Sequence, residues 1–266
     1  MQFTILSEKL PNLSTEQFIH EFRVVHAEQT KSIASSLGII YQYVQGLALS
    51  LTAQESLRNP PLSGPQEPIE SFAQLSWPAL EVMQGSFQTQ GYKDSAGKHV
   101  FAQPRKIFLT NQLELEVEHM NKNNTIRLVC FLNPLDSLDS NFRKSWDKHA
   151  SFCRTICANY QRNQVLKLDQ EQINIIFFGT QFPKDSVMKY GGYEEFLFAS
   201  SEDCQSFCEE HGEELGLSYS EFTTKDSYCI GFDVAVQYDP VDRGYQQIIT
   251  GAIVGTLLRF KVFFGI

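Results

Sequence analysis

Residues 16–30 read EQFIHEFRVVHAEQT, and residues 141–150 read NFRKSWDKHA. In the first segment Phe18, Phe22 and Val25 fall at helical spacing, and Ile33 and Leu37 continue the same stripe. Ser14 precedes it, with Gln17 three residues later, the pattern of a capping box. A helix is therefore expected over 15–37, ended by Gly38 as a C-cap. The second segment predicts a helix over 140–159. Phe18 and Phe142 stand 124 residues apart, and the pairs Glu70/Glu194, Phe72/Phe196 and Phe108/Phe232 share that separation. A constant offset at core-type positions reads as one domain present twice.

Working outward from the first helix, alternating residues 3–6 read as a strand. The β-branched and aromatic segment 39–49 reads as another. A loop rich in Pro and Gly over 59–67 leads to a strand over 69–75. Pro78 suits the first turn of a helix reaching about Gln90, and residues 105–115 form a last strand. The second half repeats the order, with strands over 126–132, 160–168, 193–199 and 228–238. Its second helix runs over 201–215, capped by Ser201. Residues 175–179 are a short apolar segment, expected as an added strand. The polar run 121–124 marks a linker.

Each half thus has the order β-α-β-β-α-β of the ferredoxin-like class. One sheet face lies under two helices. The other would be exposed and apolar unless a second sheet covers it. The fold class expected is α+β, with two such repeats, 1–120 and 124–240, closing one eight-stranded barrel inside a single chain, helices outside. The chain is its own pseudo-dimer, and a homodimer remains open as a further state of association. Residues 241–266 form an apolar tail of unassigned role. Residues 248–258 are apolar, but Arg259 and Lys261 interrupt the run. It is too short for a stable membrane span.

The chain has 266 residues, 42% hydrophobic and 20% charged, as expected of a soluble globular protein. Its 21 Phe against 4 Met and 2 Trp suggest aromatic cores or apolar pockets. A net charge of −9 repels a polyanion, so nucleic acid is not an expected partner. The beginning of the chain does not read as a cleaved signal peptide. All six cysteines lie in the second half, none in a CxxC pair, so reduced thiols and a cytoplasmic location are expected.

The aromatic, aromatic, histidine series Phe18, Phe22, His26, followed by IIYQYVQG over 39–46, resembles the EthD family of the dimeric α+β barrel superfamily. NFRKSWDKHA, NYQRNQV over 159–165 and GYEEFLF over 192–198 resemble it again. The resemblance covers 1–118 and 124–240. It implies a small-molecule enzyme, in the first place a cofactor-free oxidoreductase acting on an apolar or aromatic metabolite, as in secondary metabolism. Decarboxylases, isomerases and cyclases share the fold, and a non-catalytic binding module is the alternative from another class. Tandem copies imply a fungal source.

Candidate catalytic residues are His26, His149, Tyr43 and Tyr160. Histidine titrates near neutrality and can move a proton at a carbon acid. A barrel-facing tyrosine could hold an enolate or phenolate oxygen. Gln45 and Arg162 stand two residues beyond their tyrosines, on the same strand face. With Glu194 they are the candidate substrate-binding residues, weighed against ordinary core or solvated roles. His149, Cys153 and Cys157 share a helix face, as do Cys204, Cys208 and His211. The cysteines read better as apolar filler than as zinc ligands, so no metal and no organic cofactor is expected. One departure stands out: His26 follows Phe22 by four residues, but His149 follows Trp146 by three. A one-residue step turns a side chain by about 100° on an α-helix, so the two histidines are not expected to point into equivalent pockets, and a single working site is expected.

Overall fold

The computed structural model describes residues 1–37, 40–50, 53–54, 57–94, 100–113, 125–135, 140–184 and 190–238. The Gly38 cap, the 121–124 linker and the 241–266 tail lie outside them. The first half contains β1 (Gln2–Lys9), α1 (Thr15–His20), a π-helical segment (Glu21–His26), α2 (Ala27–Leu37), β2 (Gln42–Ala48) and β3 (Ser71–Ser76). It ends with α3 (Leu80–Gln88), α4 (Gln90–Asp94) and β4 (Ala102–Gln112). The second half contains β5 (Ile126–Leu132), α5 (Ser140–Ile156), β6 (Tyr160–Val165), α6 (Gln170–Ile176), β7 (Gly192–Phe198), α7 (Ser201–Ser220) and β8 (Tyr228–Tyr238).

The eight strands close one antiparallel barrel in the order β1-β3-β2-β8-β5-β7-β6-β4. Read around the ring, four strands of the first half are followed by four of the second. Two seams join them. One runs between β2 and β8, with Gln45 opposite Ala235. The other is shorter, between β4 and β6, with Thr110 opposite Val165. Alternation along each strand sends one set of side chains inward and the other toward the helices. The inward set is aromatic: Phe72, Phe108, Phe131, Tyr193, Tyr228 and Phe232 pack in one cluster. Two outer clusters lie between sheet and helices, one around Phe3, Phe18, Phe22 and Trp77, the other around Phe142, Trp146, Tyr160 and Phe207. Each buried Phe contributes about 1.5–3 kcal/mol by leaving water.

Local signals explain the helix starts. Ser14 and Gln17 form the reciprocal capping box, with Gln17 N 3.1 Å from Ser14 Oγ and Ser14 N 2.9 Å from Gln17 Oε1. At α7 the cap is Ser200 rather than Ser201, its hydroxyl accepting from Asp203 N. The apolar run 175–179 is not a strand. It belongs to the end of α6 and the turn after it, because Asp169 and Gln172 form a second capping box that starts a helix there. Its residues Ile173, Ile176 and Phe177, with Phe182 beyond, pack into the outer core of the first half, not of their own.

The constant offset does not carry through β3 and β7, although Phe108 of β4 and Phe232 of β8 both face the barrel interior. On β2–β3, Tyr43 faces Leu75 and Gln45 faces Ala73. On β6–β7, Tyr160 faces Phe196 and Arg162 faces Glu194. Leu75 and Ala73 are therefore the positional matches of Phe196 and Glu194, at a separation of 121 rather than 124. An odd shift in register exchanges strand faces. Accordingly Phe72 lies inside the barrel and Phe196 lies under the helices. Phe18 and Phe142, by contrast, do hold matching helix places.

The halves also meet outside the barrel. A Cβ on Gly212 of α7 would lie 1.6 Å from the Asn59 carbonyl oxygen, in the loop between β2 and β3. Asn59 has the left-handed φ of 52°. Gly212→Ala would gain about 1 kcal/mol in helix propensity but must displace a backbone carbonyl, an overpacking cost of about 1–3 kcal/mol. At 1.6 Å the collision prevails. The variant is expected to melt several degrees below wild type by calorimetry; an equal or higher melting temperature would show that this contact does not constrain the fold.

Candidate active site

Both tyrosines of the paired strands point toward the helices and not into the barrel, which corrects the expectation of a barrel-facing phenol. Tyr43 belongs to the outer cluster of the first half and Tyr160 to that of the second. The barrel interior is already occupied by aromatic rings and a polar network. Among the described residues a cavity lies between sheet and helices of the first half.

The histidine slip is absorbed by the backbone. In the first half the helix runs through a π-helical segment over Glu21–His26. A π turn takes up an extra residue per turn, and such turns recur at functional sites. The α5 helix carries no such insertion between Trp146 and His149. Four residues with the extra one and three without it therefore reach the same side of their helices. Gln45 Nε2 donates to the Phe22 carbonyl at 2.6 Å, and Arg162 Nη1 donates to the Trp146 carbonyl at 3.3 Å. The strands thus grip matching helix positions. His26 and His149 are both buried beneath their helices. Their surroundings are what differ.

Around His26 the neighbours are mostly apolar. Its ring lies 4.9 Å from Phe101 and 6.5 Å, edge-on, from Tyr43. Tyr43 accepts a 2.6 Å hydrogen bond from Gln45 Nε2, and burial pushes its phenol well above the ordinary tyrosine range. Tyr43 stands behind His26 and is not among the cavity-lining residues. The cavity offers ≈ 30 Å³ to the centre of a water-sized sphere, within ≈ 430 Å³ of non-atom space when open solvent is counted, and His26, Thr30, Ser86 and Tyr92 supply its polar side chains beside Trp77. Its walls include Phe3, Ile33, Leu75, Phe87 and Phe182. Phe182 arrives from the segment after α6, so the second half completes a cavity of the first.

Around His149 a polar cluster fills the corresponding place. The Glu194 carboxylate accepts from Trp146 Nε1, from Tyr160 Oη at 2.6 Å and from Tyr219 Oη at 2.5 Å. His149 Nε2 lies 3.3 Å from Glu194 Oε2 and 3.2 Å from Cys153 Sγ, and its Nδ1 meets Ser218 Oγ at 2.8 Å. Gly192 lets Trp146 lie on the sheet, since a Cβ there would fall 2.4 Å from the indole. Burial alone would raise the Glu194 carboxyl. The charge on His149 and the hydrogen bonds from His149, Tyr160 and Tyr219 outweigh it and hold the group below the usual carboxylate range.

Arg162, proposed as an anion-binding residue, is engaged by Asp147 at 2.8 Å and stacks 5.3 Å from Trp146. Glu70, the sequence counterpart of Glu194, accepts from Lys9 N at 2.6 Å.

The donor atoms of His149, Cys153 and Glu194 lie within 4.8 Å of one another, a set that could hold a metal ion. Binding one would require the Cys153 thiolate. Burial, aided by the charge of Glu194, raises that thiol well above its ordinary value. The trio is already closed by hydrogen bonds among its own members. Cys157 does not join it, and among the described residues Cys204, Cys208 and His211 form no such group. All six cysteines are buried and free.

Several residues of these sites had no legible signal. Thr30 is four residues after His26, and that spacing would have placed it on the same face. Trp77 and Phe182 lie in connecting segments and show no periodicity. Inside the barrel, Arg127 pairs with Glu195, and Gln74 Nε2 reaches Tyr193 Oη and Glu195 Oε1, each at 3.0 Å.

Residues 10–104 match the EthD domain family. A chalcone isomerase of Aspergillus candidus, cfoK, is 33% identical over 104 residues. That alignment takes in 39% of this chain, and the chain spans 39% of the relative's length. A solved anthrone oxidase-like protein superposes on 90% of this chain and 93% of its own, with a TM-score of 0.51 and 4% identity. At that identity the likeness shows the fold alone. Among the described residues no helix is long and apolar enough to cross a membrane.

The Glu194 cluster predicts a pH effect with a definite sign. A carboxyl held low in the folded state adds stability above its unfolded value of about 4.3. That contribution disappears as pH falls through the lower folded value. Glu194→Gln removes the charge while keeping the shape, and breaking a buried pair costs about 3–5 kcal/mol. Urea denaturation near neutral pH should show a loss of that order, with a shallower decline of stability in acid. Unchanged stability, or an unchanged acid limb, would refute the role given to this carboxylate.

Proposed function

We propose that this chain, which carries an EthD domain over residues 10–104, is a proton-transfer enzyme acting on an apolar aromatic metabolite in the first-half cavity. The second half supplies closure and support. The observation that carries this reading is His26 at the wall of an aromatic cavity. The matching histidine of the second half is held in a network of hydrogen bonds. We also infer that the chain is a tandem of two ferredoxin-like units, 1–120 and 124–240. The same strand order in each half and the matching grips of Gln45 and Arg162 support this.

The chemistry open to such a site needs one base and one apolar surface. The neutral imidazole of His26 accepts the proton of a phenolic hydroxyl. The phenolate oxygen then adds to the β-carbon of an aromatic enone, forming a C–O bond. The alkene pair moves toward the carbonyl to give an enolate. The imidazolium returns its proton to the α-carbon, so the product is an isomer of the substrate and the histidine is regenerated. Exclusion of water by Phe3, Phe87 and Phe182 keeps the anion reactive. The relative described as a chalcone isomerase favours this outcome. The oxidoreductase outcome, implied by the family resemblance, starts from the same phenolate but transfers electrons to dioxygen. Tyr43 and Gln45 act as positioning residues, since the phenol stands behind His26 and Gln45 holds it to the helix. In this reading Tyr160, Arg162, Glu194 and His149 are structural.

The test is turnover of a chalcone with an ortho hydroxyl, followed by absorbance and by an oxygen electrode. Wild type is expected to convert it to a cyclic isomer without oxygen uptake. His26→Ala should lower kcat/KM by about 10²–10⁴, the range for a lost general base. His149→Ala should lower the melting temperature and leave kcat/KM of the folded fraction near wild type. Oxygen consumption in step with turnover would favour the oxidoreductase outcome. Stoichiometric binding without conversion would mark a binding module, and unchanged turnover in His26→Ala would overturn the histidine mechanism.

A further inference from the structure

One polar atom of the His26 cavity, Trp77 Nε1, has no hydrogen-bond partner among the described residues, and Thr30 Oγ1 has at most the Tyr43 phenol, which leaves part of its hydrogen-bonding capacity unused. Both residues line the cavity, and each is only 3% exposed. More than nine in ten buried polar groups are paired in native structures, and an unpaired one costs about 1–3 kcal/mol. The molecule's other tryptophan follows the rule, since Trp146 Nε1 donates to Glu194. An unpaired indole beside a hydroxyl with capacity to spare, in one cavity, calls for a common cause.

The types of these atoms restrict what answers them. An indole N–H is only a donor, so its partner must be an acceptor such as a carbonyl or ether oxygen. A threonine hydroxyl donates and accepts, and it neighbours the buried Tyr43 phenol. No lysine or arginine lines the cavity, which disfavours a carboxylate or phosphate. Phe3, Phe87 and Phe182 offer flat apolar surfaces to a ring.

We propose that Trp77 and Thr30 are ligand-binding residues that orient a neutral aromatic molecule through two of its oxygens. Trp77 Nε1–H donates to a carbonyl oxygen. Thr30 Oγ1 engages a hydroxyl on the side of His26, four residues earlier on the same helix face. The two contacts set which oxygen reaches the imidazole, and they favour an enolate on the Trp77 side, where a hydrogen-bond donor stabilises developing charge. This rests on the first-half cavity being the ligand site, as argued above.

The experiment is calorimetric titration with three probes: an ortho-hydroxychalcone, its analogue lacking the carbonyl oxygen, and its methyl ether. Trp77→Phe keeps the ring packing and removes the donor. It is expected to weaken the hydroxychalcone about tenfold or more and to leave the carbonyl-free analogue unchanged. Thr30→Val should weaken the hydroxychalcone and leave the methyl ether unchanged. If wild type binds none of the probes, both the cavity reading and this inference fail. If wild type binds and the variants bind all three probes as wild type does, or lose all three equally, only this inference fails. Should Trp77→Phe not fold, nitrogen-15 spectra of wild type decide, because the chain has 2 Trp and hence two indole N–H signals. The hydroxychalcone should shift one of them strongly and the carbonyl-free analogue should not; equal shifts with both would overturn the assignment.

Discussion

Arg127 and Glu195 face each other inside the barrel, each almost wholly shielded from water. Removing one partner of such a pair costs about 3–5 kcal/mol, because a buried charge is left without compensation. Both residues belong to the second half, and the first half adds to the pair. Gln74, from the first half, reaches Arg127 at 3.2 Å and Glu195 at 3.0 Å, and Asn163 adds a 2.8 Å bond to the same carboxylate. Thr4 and Tyr193 meet across the halves at 2.7 Å. The polar network of the interior therefore runs across both sheets. That closed ring is the platform on which the outer layer of helices is arranged.

With the interior filled, the His26 cavity lies between sheet and helices, and there the two halves differ. The second half fills its space with Trp146, His149, Glu194 and Tyr219. Every hydrogen-bonding group named there faces another protein group, which gives rigidity and leaves little for a ligand to contact. The first half has Ala73 and Leu75 where the second has Glu194 and Phe196. A methyl group in place of a carboxylate cannot bind the helix residues above it. The result is an aromatic cavity with a histidine at its wall and polar atoms left to meet something else.

The halves nevertheless depend on one another. Phe177 and Phe182 of the second half pack into the first half's outer core, and Gly212 of α7 lies against the loop at Asn59. A change in the second half that leaves His26 untouched can thus alter the cavity through the wall that Phe182 provides.

Much of this was legible in the chain. The helical spacing of Phe18, Phe22 and Val25, the capping box at Ser14, and the strand alternation gave the elements and the closed barrel, because local periodicity records which side of an element is buried. The sequence also named His26, His149, Tyr43 and Tyr160 as candidates on the first helix and the following strand of each half. It misplaced Glu70 and Phe72, because a constant offset says nothing of loop-length differences, and an odd shift turns a strand over. It did not show the π turn that offsets the one-residue slip between His26 and His149, because a π turn depends on backbone hydrogen bonding that residue spacing does not encode. Which histidine faces a cavity and which is locked by a carboxylate was decided only by tertiary structure. Burial and the partners contributed by distant strands set that difference, and the two local sequences look alike.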